Sequence, residues 1–298
     1  MTITSATQVQ TVMVAGSGVL GAQIALQCAV FGKTVHLYDI SDDALAHAEK
    51  VLDIIAPKVV ADTSFTTSLV DQARDRITMT TQLDEATAGV QLVIEAVPES
   101  TDIKDEFYSQ LAEHLDEDTI LCTNTSTLAP STFAQHTGRP EKFLALHFAN
   151  EIWKNNTGEV MGHAGTDPAI FDIVVQFAED IGLVPLPLHK EWPGYILNTL
   201  LVPLLNASLR LLVEGVSDAP TIDLTWRTAS HSPLGPLQIL DRVGIPTAYH
   251  IISTRGKQGD EESAKIAAFL KENYLDTGRT GLNAGHGFYD YDEKGHQL

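Results

Sequence analysis

The stretch Thr11-Val-Met-Val-Ala-Gly-Ser-Gly-Val-Leu-Gly21 constrains this chain more than any other. An apolar run leads into Gly16, Gly18 and Gly21, spaced G-x-G-x-x-G, and a helix-like run through Ala22, Ile24, Ala25, Leu26 and Cys28 follows. A second apolar run, Thr34-Val-His-Leu-Tyr, ends at Asp39. Strand, tight turn, helix, strand and acid in this order form a dinucleotide-binding unit. Gly16 permits the turn off the strand, Gly18 lets the backbone approach a pyrophosphate, and Gly21 lets the helix pack close to the strand. The first helical residues, Val19, Leu20 and Gly21, then offer amides and a partial positive charge to the phosphates. Asp39 is placed to accept hydrogen bonds from an adenosine ribose. It would repel a 2′-phosphate, so NAD is expected rather than NADP.

Beyond this unit the pattern alternates strand and helix. Ser41-Asp-Asp-Ala opens a helix with a capping side chain and acids in its first turn. A second helical stretch over 69–74 completes a protruding hairpin. Strands are predicted at Ile77-Thr-Met-Thr-Thr, at Val90-Gln-Leu-Val-Ile-Glu-Ala-Val, at Thr119-Ile-Leu-Cys and at Phe143-Leu-Ala-Leu-His. Helices are predicted over 101–115, 130–135 and 167–180. This is the signature of an α/β, Rossmann-like, doubly wound parallel sheet. Near residue 190 the pattern becomes helix only. The expected organisation is a dinucleotide-binding domain over 1–189 and an all-helical domain over 190–298, carrying substrate and dimer contacts. The run 194–214 reads as a helix too apolar to be exposed, hence a domain core or a subunit interface.

A chain of 298 residues with 44% hydrophobic and 19% charged residues builds a large core. Its net charge of −20 argues against nucleic acid and anionic membrane surfaces as partners. The most apolar stretch carries Asn198, Pro203, Asn206 and Arg210, which a membrane span does not favour. The first residues lack a basic region followed by an apolar core, and Cys28 and Cys122 sit singly in apolar runs. A cytoplasmic protein with buried free thiols is expected. No histidines have metal-ligand spacing, so no metal is expected.

In open α/β sheets ligands bind beyond the carboxyl ends of the strands. The polar residues just past apolar runs are Glu99, Asn124 to Ser126, His147 and, by extension, Glu159. Moving a hydride from an alcohol to a nicotinamide needs these types: a base for the hydroxyl proton, a carboxylate to steady the imidazolium, and donors for the substrate oxygen. Each also has an ordinary reading. A strand-end histidine is often structural, Ser126 lies in a cluster that caps a helix equally well, and Asn198 is a buried amide in need of a partner. Lys104 sits near the start of a helix, where a cation is poorly placed unless an anion or hydroxyl meets it.

Taken together these residues resemble the L-3-hydroxyacyl-CoA dehydrogenases, including the 3-hydroxybutyryl-CoA dehydrogenases. The resemblance runs through the glycine turn, Val93-Ile-Glu-Ala-Val-Pro-Glu, Asn124-Thr-Ser and His147-Phe. It continues through Pro193-Gly-Tyr-Ile-Leu-Asn, Ser232-Pro-Leu-Gly-Pro-Leu-Gln-Ile-Leu-Asp and Gly281-Leu-Asn-Ala-Gly-His-Gly-Phe-Tyr. It implies NAD as cofactor, His147 as base with Glu159 as its partner, and Ser126 and Asn198 near the reacting oxygen. It further implies Glu99, Lys104 and Asn124 on the cofactor side, a small-molecule acyl-CoA substrate, and a homodimer formed through the helical domain. The chain departs from the family where prolines usually follow the histidine, reading Phe148-Ala-Asn-Glu-Ile-Trp153. Its hairpin offers Lys50, Lys58, Arg74 and Arg76 but no lysine cluster for coenzyme A phosphates. A free 3-hydroxy acid or sugar acid is the alternative substrate, and a non-catalytic NAD-binding or structural protein the third reading.

Overall fold

The computed structural model describes residues 3–293 and 295–298, so the first two residues of the N-terminal segment read above lie outside it. The chain divides into two compact units, Met1–Ile196 and Leu197–Leu298. The change of pattern near residue 190 falls in the segment that leads into the second.

The first unit is built on one eight-stranded sheet of order β3-β2-β1-β4-β5-β6-β7-β8. The strands are β1 (Thr11–Ala15), β2 (Thr34–Tyr38), β3 (Ile77–Thr80), β4 (Leu92–Glu95), β5 (Ile120–Thr123), β6 (Phe143–Phe148), β7 (Thr157–Met161) and β8 (Val184–Leu188). Helices α1 (Val19–Val30), α2 (Asp42–Asp62), α3 (Thr67–Arg74), α4 (Leu83–Thr87), α5 (Thr101–Ala112) and α6 (Pro168–Asp180) connect them. Ser41 accepts from the Ala44 amide at the start of α2, as its sequence requires.

Two apolar layers cover the sheet, and strand alternation assigns residues to each. Val12, Val14, Leu92, Ile94, Ile120, Cys122, Leu144 and Leu146 point to the layer with α1, α2 and α6. Met13, Ala15, Val93, Leu121 and Phe143 point to the layer with α5, where Phe107, Tyr108 and Leu111 meet them. Both cysteines are buried and unpaired, and burial pushes the Cys28 thiol up to about 12.

The parallel sheet predicted from the sequence needs one correction: β7 runs antiparallel to β6. The segment between them is too short for the crossover that a parallel return requires, so the chain turns back as a hairpin. The 130–135 helix is also replaced, by two 3₁₀ turns at Pro130–Thr132 and Ala134–Thr137. Strand β8 lies at the sheet edge, where Pro185 and Pro187 are tolerated because no outer strand needs their missing amides.

The second unit holds most of α7 (Tyr195–Val213), then α8 (Ala219–Ser230), α9 (Pro236–Val243), α10 (Ile245–Lys257) and α11 (Glu261–Leu270). Two buried aspartates staple it. Asp223 accepts from the amides of Leu237 and Gln238 at the start of α9, and from the Tyr289 hydroxyl at 2.8 Å. Asp241 accepts from the Phe288 and Tyr289 amides and from the Tyr291 hydroxyl. A side chain on Gly235 would overlap Asp223, and one on Gly287 would overlap Asp241. The Pro-Leu-Gly-Pro and Gly-His-Gly-Phe-Tyr motifs are therefore structural.

Helix α7, read from the sequence as a domain core or a subunit interface, has both a packed and an outward apolar face. Leu205 and Leu209 join the core of the unit, whereas Leu200 is 69% exposed, and Ile196 and Leu211 also face outward. Among the described residues it is the one helix long and apolar enough to cross a membrane.

Candidate active site

The three glycines of the first turn have different reasons to be glycine. At Gly16, φ is +99°, and a Cβ would lie 2.4 Å from the Ala96 carbonyl oxygen at the end of β4. At Gly21 a Cβ would lie 1.9 Å from the Gly16 oxygen, so the fold itself forbids a side chain there. At Gly18 a Cβ would meet nothing within 4 Å. The protein does not need that glycine for its own packing, and the open space is where a pyrophosphate would approach. Helix α1 closes its first hydrogen bond at Ala22, leaving the amides of Val19, Leu20 and Gly21 at its N-terminus.

Asp39 follows β2 and folds back on the same turn. One carboxylate oxygen, Oδ2, accepts from the Ser17 amide at 2.8 Å and the Ser17 hydroxyl at 2.9 Å. Among the described residues, Oδ1 makes no hydrogen bond. Ser17 was not singled out in the sequence, although it sits between two of the glycines.

Register then lines up a row across the sheet. Ala15 pairs with Glu95, Glu95 with Thr123, Thr123 with Ala145, Ala145 with Met161, and Met161 with Leu188. One step further along β6 and β7, on the same face, His147 pairs with Glu159. The antiparallel return of β7 creates this pair, because it lays residues distant in sequence directly opposite each other. His147 Nδ1 lies 2.9 Å from Glu159 Oε2, and both side chains are nearly fully buried. Glu159 Oε1 accepts from the Ile196 amide at 2.9 Å, at the start of α7. The Tyr195 ring stacks on the imidazole with centroids 4.4 Å apart and planes 10° from parallel.

Glu99, in the segment after β4, gathers the Asn124–Ser126 loop. Its Oε1 accepts from the Thr125 hydroxyl and from the amides of Ser126 and Thr127, at 2.6, 2.9 and 3.0 Å. Burial alone would raise its pKa. The Thr125 hydroxyl, the Lys104 charge and the Thr127 donors outweigh that and hold it below the usual range. Asn124 is buried, and its Oδ1 accepts from the Phe148 amide at 2.9 Å, which ties the β5 loop to the residue after His147. The Ser126 hydroxyl makes no hydrogen bond among the described residues and is half-buried at the strand ends.

Lys104, on the first turn of α5, meets an anion as its position requires. It is 1% exposed, with its ammonium 2.6 Å from Glu95 Oε1 and 3.4 Å from Glu99 Oε2. The anion that its position called for is Glu95, which is wholly buried and also receives Thr123 Oγ1 at 2.7 Å, the Val97 amide at 2.8 Å and the Tyr108 hydroxyl. Glu95 escaped the sequence filter because it lies inside the apolar run rather than beyond it. A lone acid closing an otherwise apolar buried strand was the available signal. Asn198 lies half-buried on the first turn of α7 and belongs to the second unit.

The 149–156 segment is tied to the end of α2. Trp153 Nε1 donates to Asp62 Oδ2 at 3.0 Å, and Lys154 lies 3.1 Å from the same oxygen. These donors, Trp153 first, hold the Asp62 carboxyl below its usual range. In the hairpin Arg74 is paired with Asp53 at 2.7 Å, and Arg76 donates to the Gln72 carbonyl. Among the described residues no group of three or more His, Cys, Asp or Glu side chains is placed to hold a metal.

Such a sheet end suits hydride transfer. In such folds a dinucleotide would rest on the turn after the first strand, and here polar groups collect at the ends of the next ones. The class is that of the NAD-dependent dehydrogenases. Residues 11–192 match the 3-hydroxyacyl-CoA dehydrogenase NAD-binding domain, and residues 194–291 match the C-terminal domain of the same family. The chain belongs to the 3-hydroxyacyl-CoA dehydrogenase family. It is 31% identical to the mitochondrial hydroxyacyl-coenzyme A dehydrogenase of Homo sapiens, over 95% of this chain and 91% of that one. It is 29% identical to a 3-hydroxybutyryl-CoA dehydrogenase of Bradyrhizobium diazoefficiens, over 95% and 96%. Among solved structures, a diketoreductase described in the catalysis of dicarbonyl compounds superposes with a TM-score of 0.90 at 47% identity, covering 95% of this chain and 99% of that one. The (S)-3-hydroxybutyryl-CoA dehydrogenase of Ralstonia eutropha superposes with a TM-score of 0.77 at 28% identity, covering 96% and 100%.

Proposed function

We propose that this protein interconverts a short L-3-hydroxyacyl-CoA and its 3-oxo form, with His147 as the base and Glu159 as its partner. The observation that carries the reading is the buried His147–Glu159 hydrogen bond of 2.9 Å at the carboxyl end of the sheet. NAD, when bound, supplies the hydride acceptor. With Nδ1 committed to Glu159, Nε2 of His147 is the nitrogen that takes the hydroxyl proton as the substrate is oxidised. Glu159 stabilises the imidazolium, and it stays oriented because its other oxygen is held by the Ile196 amide. The Ser126 hydroxyl is offered to the substrate oxygen, while Glu99 fixes its backbone. Asn198 is assigned to the same oxygen on the strength of the family resemblance. Asp39 favours ribose hydroxyls over a 2′-phosphate.

A specific observation favours a second substrate reading. Arg74 of the hairpin is already paired with Asp53, and the protein carries a net charge of −20. Both disfavour a polyanionic coenzyme A thioester, and the similarity to a diketoreductase points to a free 3-oxo acid or dicarbonyl. NADH consumption is to be followed with acetoacetyl-CoA, with acetoacetate and with a 1,3-diketone, and repeated with NADPH. Turnover with acetoacetyl-CoA and NADH is the expected result. Turnover confined to the coenzyme-free compounds moves the substrate to the second reading, and a preference for NADPH refutes the role given to Asp39. His147→Gln is expected to lower kcat by about 10²-fold or more; turnover at the wild-type rate removes the base assignment.

Two further proposals rest on the surface and the thiols. Exposed apolar side chains on α7 and α8, Leu200 at 69% and Leu224 at 61%, support a homodimer. Two buried, unpaired cysteines support a reducing, cytoplasmic location.

A further inference from the structure

We propose that Tyr195 is a positioning residue for His147: its ring clamps the imidazole in the plane that keeps Nδ1 on Glu159 and aims Nε2 at the substrate. The proposal rests on His147 being the base. Tyr195 is wholly buried, and it is gathered with Ala145, Met161 and Leu188 into one small apolar cluster. Three of those residues belong to the lateral row of the sheet, one on each of β6, β7 and β8. Ala145 and Met161 are the neighbours of His147 and Glu159 on the same face, two residues away along each strand. The aromatic ring therefore has a floor made by the strands that carry the pair, and it lies flat on the imidazole at 4.4 Å.

The backbone is shaped for this placement. Gly194 and Tyr195 both have positive φ, +85° and +53°, and a non-glycine residue persists there only where its surroundings hold it. The next amide, Ile196, donates to Glu159 Oε1. Adjacent residues thus hold the two members of the pair, a ring on the histidine and an N–H on the carboxylate. Burial, followed by the charges of Glu99, Glu159, Glu95 and Glu191, pushes the Tyr195 phenol far up, so the ring over the imidazole stays neutral. A neutral aromatic face is attractive to the imidazolium formed when His147 takes the proton.

Two variants separate the ring stack from the hydroxyl. Tyr195→Phe keeps the ring and is expected to retain kcat within about twofold. Tyr195→Leu fills similar space without a planar face and is expected to lower kcat by about 10-fold to 100-fold, with the KM for NADH unchanged. The proton NMR signal of the His147 Nδ1–H in the resting enzyme supplies a readout independent of turnover. It is expected in the wild type and Tyr195→Phe, and weakened or lost through exchange in Tyr195→Leu. If Tyr195→Leu does not fold, Tyr195→Met is measured the same way. Wild-type kcat and an unchanged Nδ1–H signal in the leucine or methionine variant overturn the proposal, as does an equal loss in Tyr195→Phe. A fully active His147→Gln would instead remove the base assignment while leaving the NMR comparison to report on the clamp.

Discussion

Lys104→Met probes the buried charge beneath the site. The substitution removes the ammonium 2.6 Å from Glu95 Oε1, where the two side chains are 1% and 0% exposed. Glu95 would keep the Val97 amide, the Thr123 hydroxyl and the Tyr108 hydroxyl, but none of these is a counter-charge. Breaking one side of such a buried pair costs about 3–5 kcal/mol, because a carboxylate is left uncompensated. The Glu99 contact at 3.4 Å adds little, about 1 kcal/mol or less, since that carboxylate is 37% exposed and screened. At about 2–4 °C per kcal/mol for a unit of this size, the thermal midpoint falls by about 6–20 °C. Urea unfolding of Lys104→Met, Glu95→Gln and the double variant closes a thermodynamic cycle. The double variant is expected to lose less than the sum of the single losses, because it leaves neither charge stranded. A single-variant loss below about 1 kcal/mol, or strictly additive losses, would refute the claim that the ion pair anchors this part of the sheet.

The glycine turn separates folding from cofactor binding. Gly21→Ala forces a Cβ to 1.9 Å from the Gly16 oxygen and is expected to lower the thermal midpoint sharply, whereas Gly18→Ala meets no protein atom. Gly18→Ala should keep its melting temperature while weakening NADH binding by about tenfold or more, read by fluorescence titration; equal melting losses in both variants would contradict this division. Acid stability tests Glu99. Its folded pKa lies below the ordinary 4.5, so its contribution is present above that value and is lost as pH falls through the folded one. Glu99→Gln should therefore flatten the acid side of the stability–pH curve below about pH 5, and an unchanged slope would remove Glu99 from the acid response.

Much of the site was legible because its residues end apolar strands. His147, Asn124 and Asp39 follow runs whose hydrophobicity alone marks them as buried, and glycines at a fixed spacing have few other uses. The structural duties of Ser17 and Tyr108 were not legible, since each acts through a partner distant in sequence. Lys104 was readable as needing an anion, and the lone acid closing the apolar strand before it, Glu95, was the signal left unused.

From sequence alone came the alternation of strand and helix, the dinucleotide turn, and the residue types that proton and hydride transfer require, because periodicity and backbone stereochemistry are local. The family resemblance names Glu159 as the partner of His147; how they and the other residues meet was decided by tertiary structure. The reversal of β7 set Glu159 opposite His147, the sheet register set Glu95 beside Thr123, and the positive-φ turn into α7 laid Tyr195 on the imidazole. Those pairings depend on strand direction and register, which are fixed by burial on both faces of the sheet rather than by any short stretch of chain.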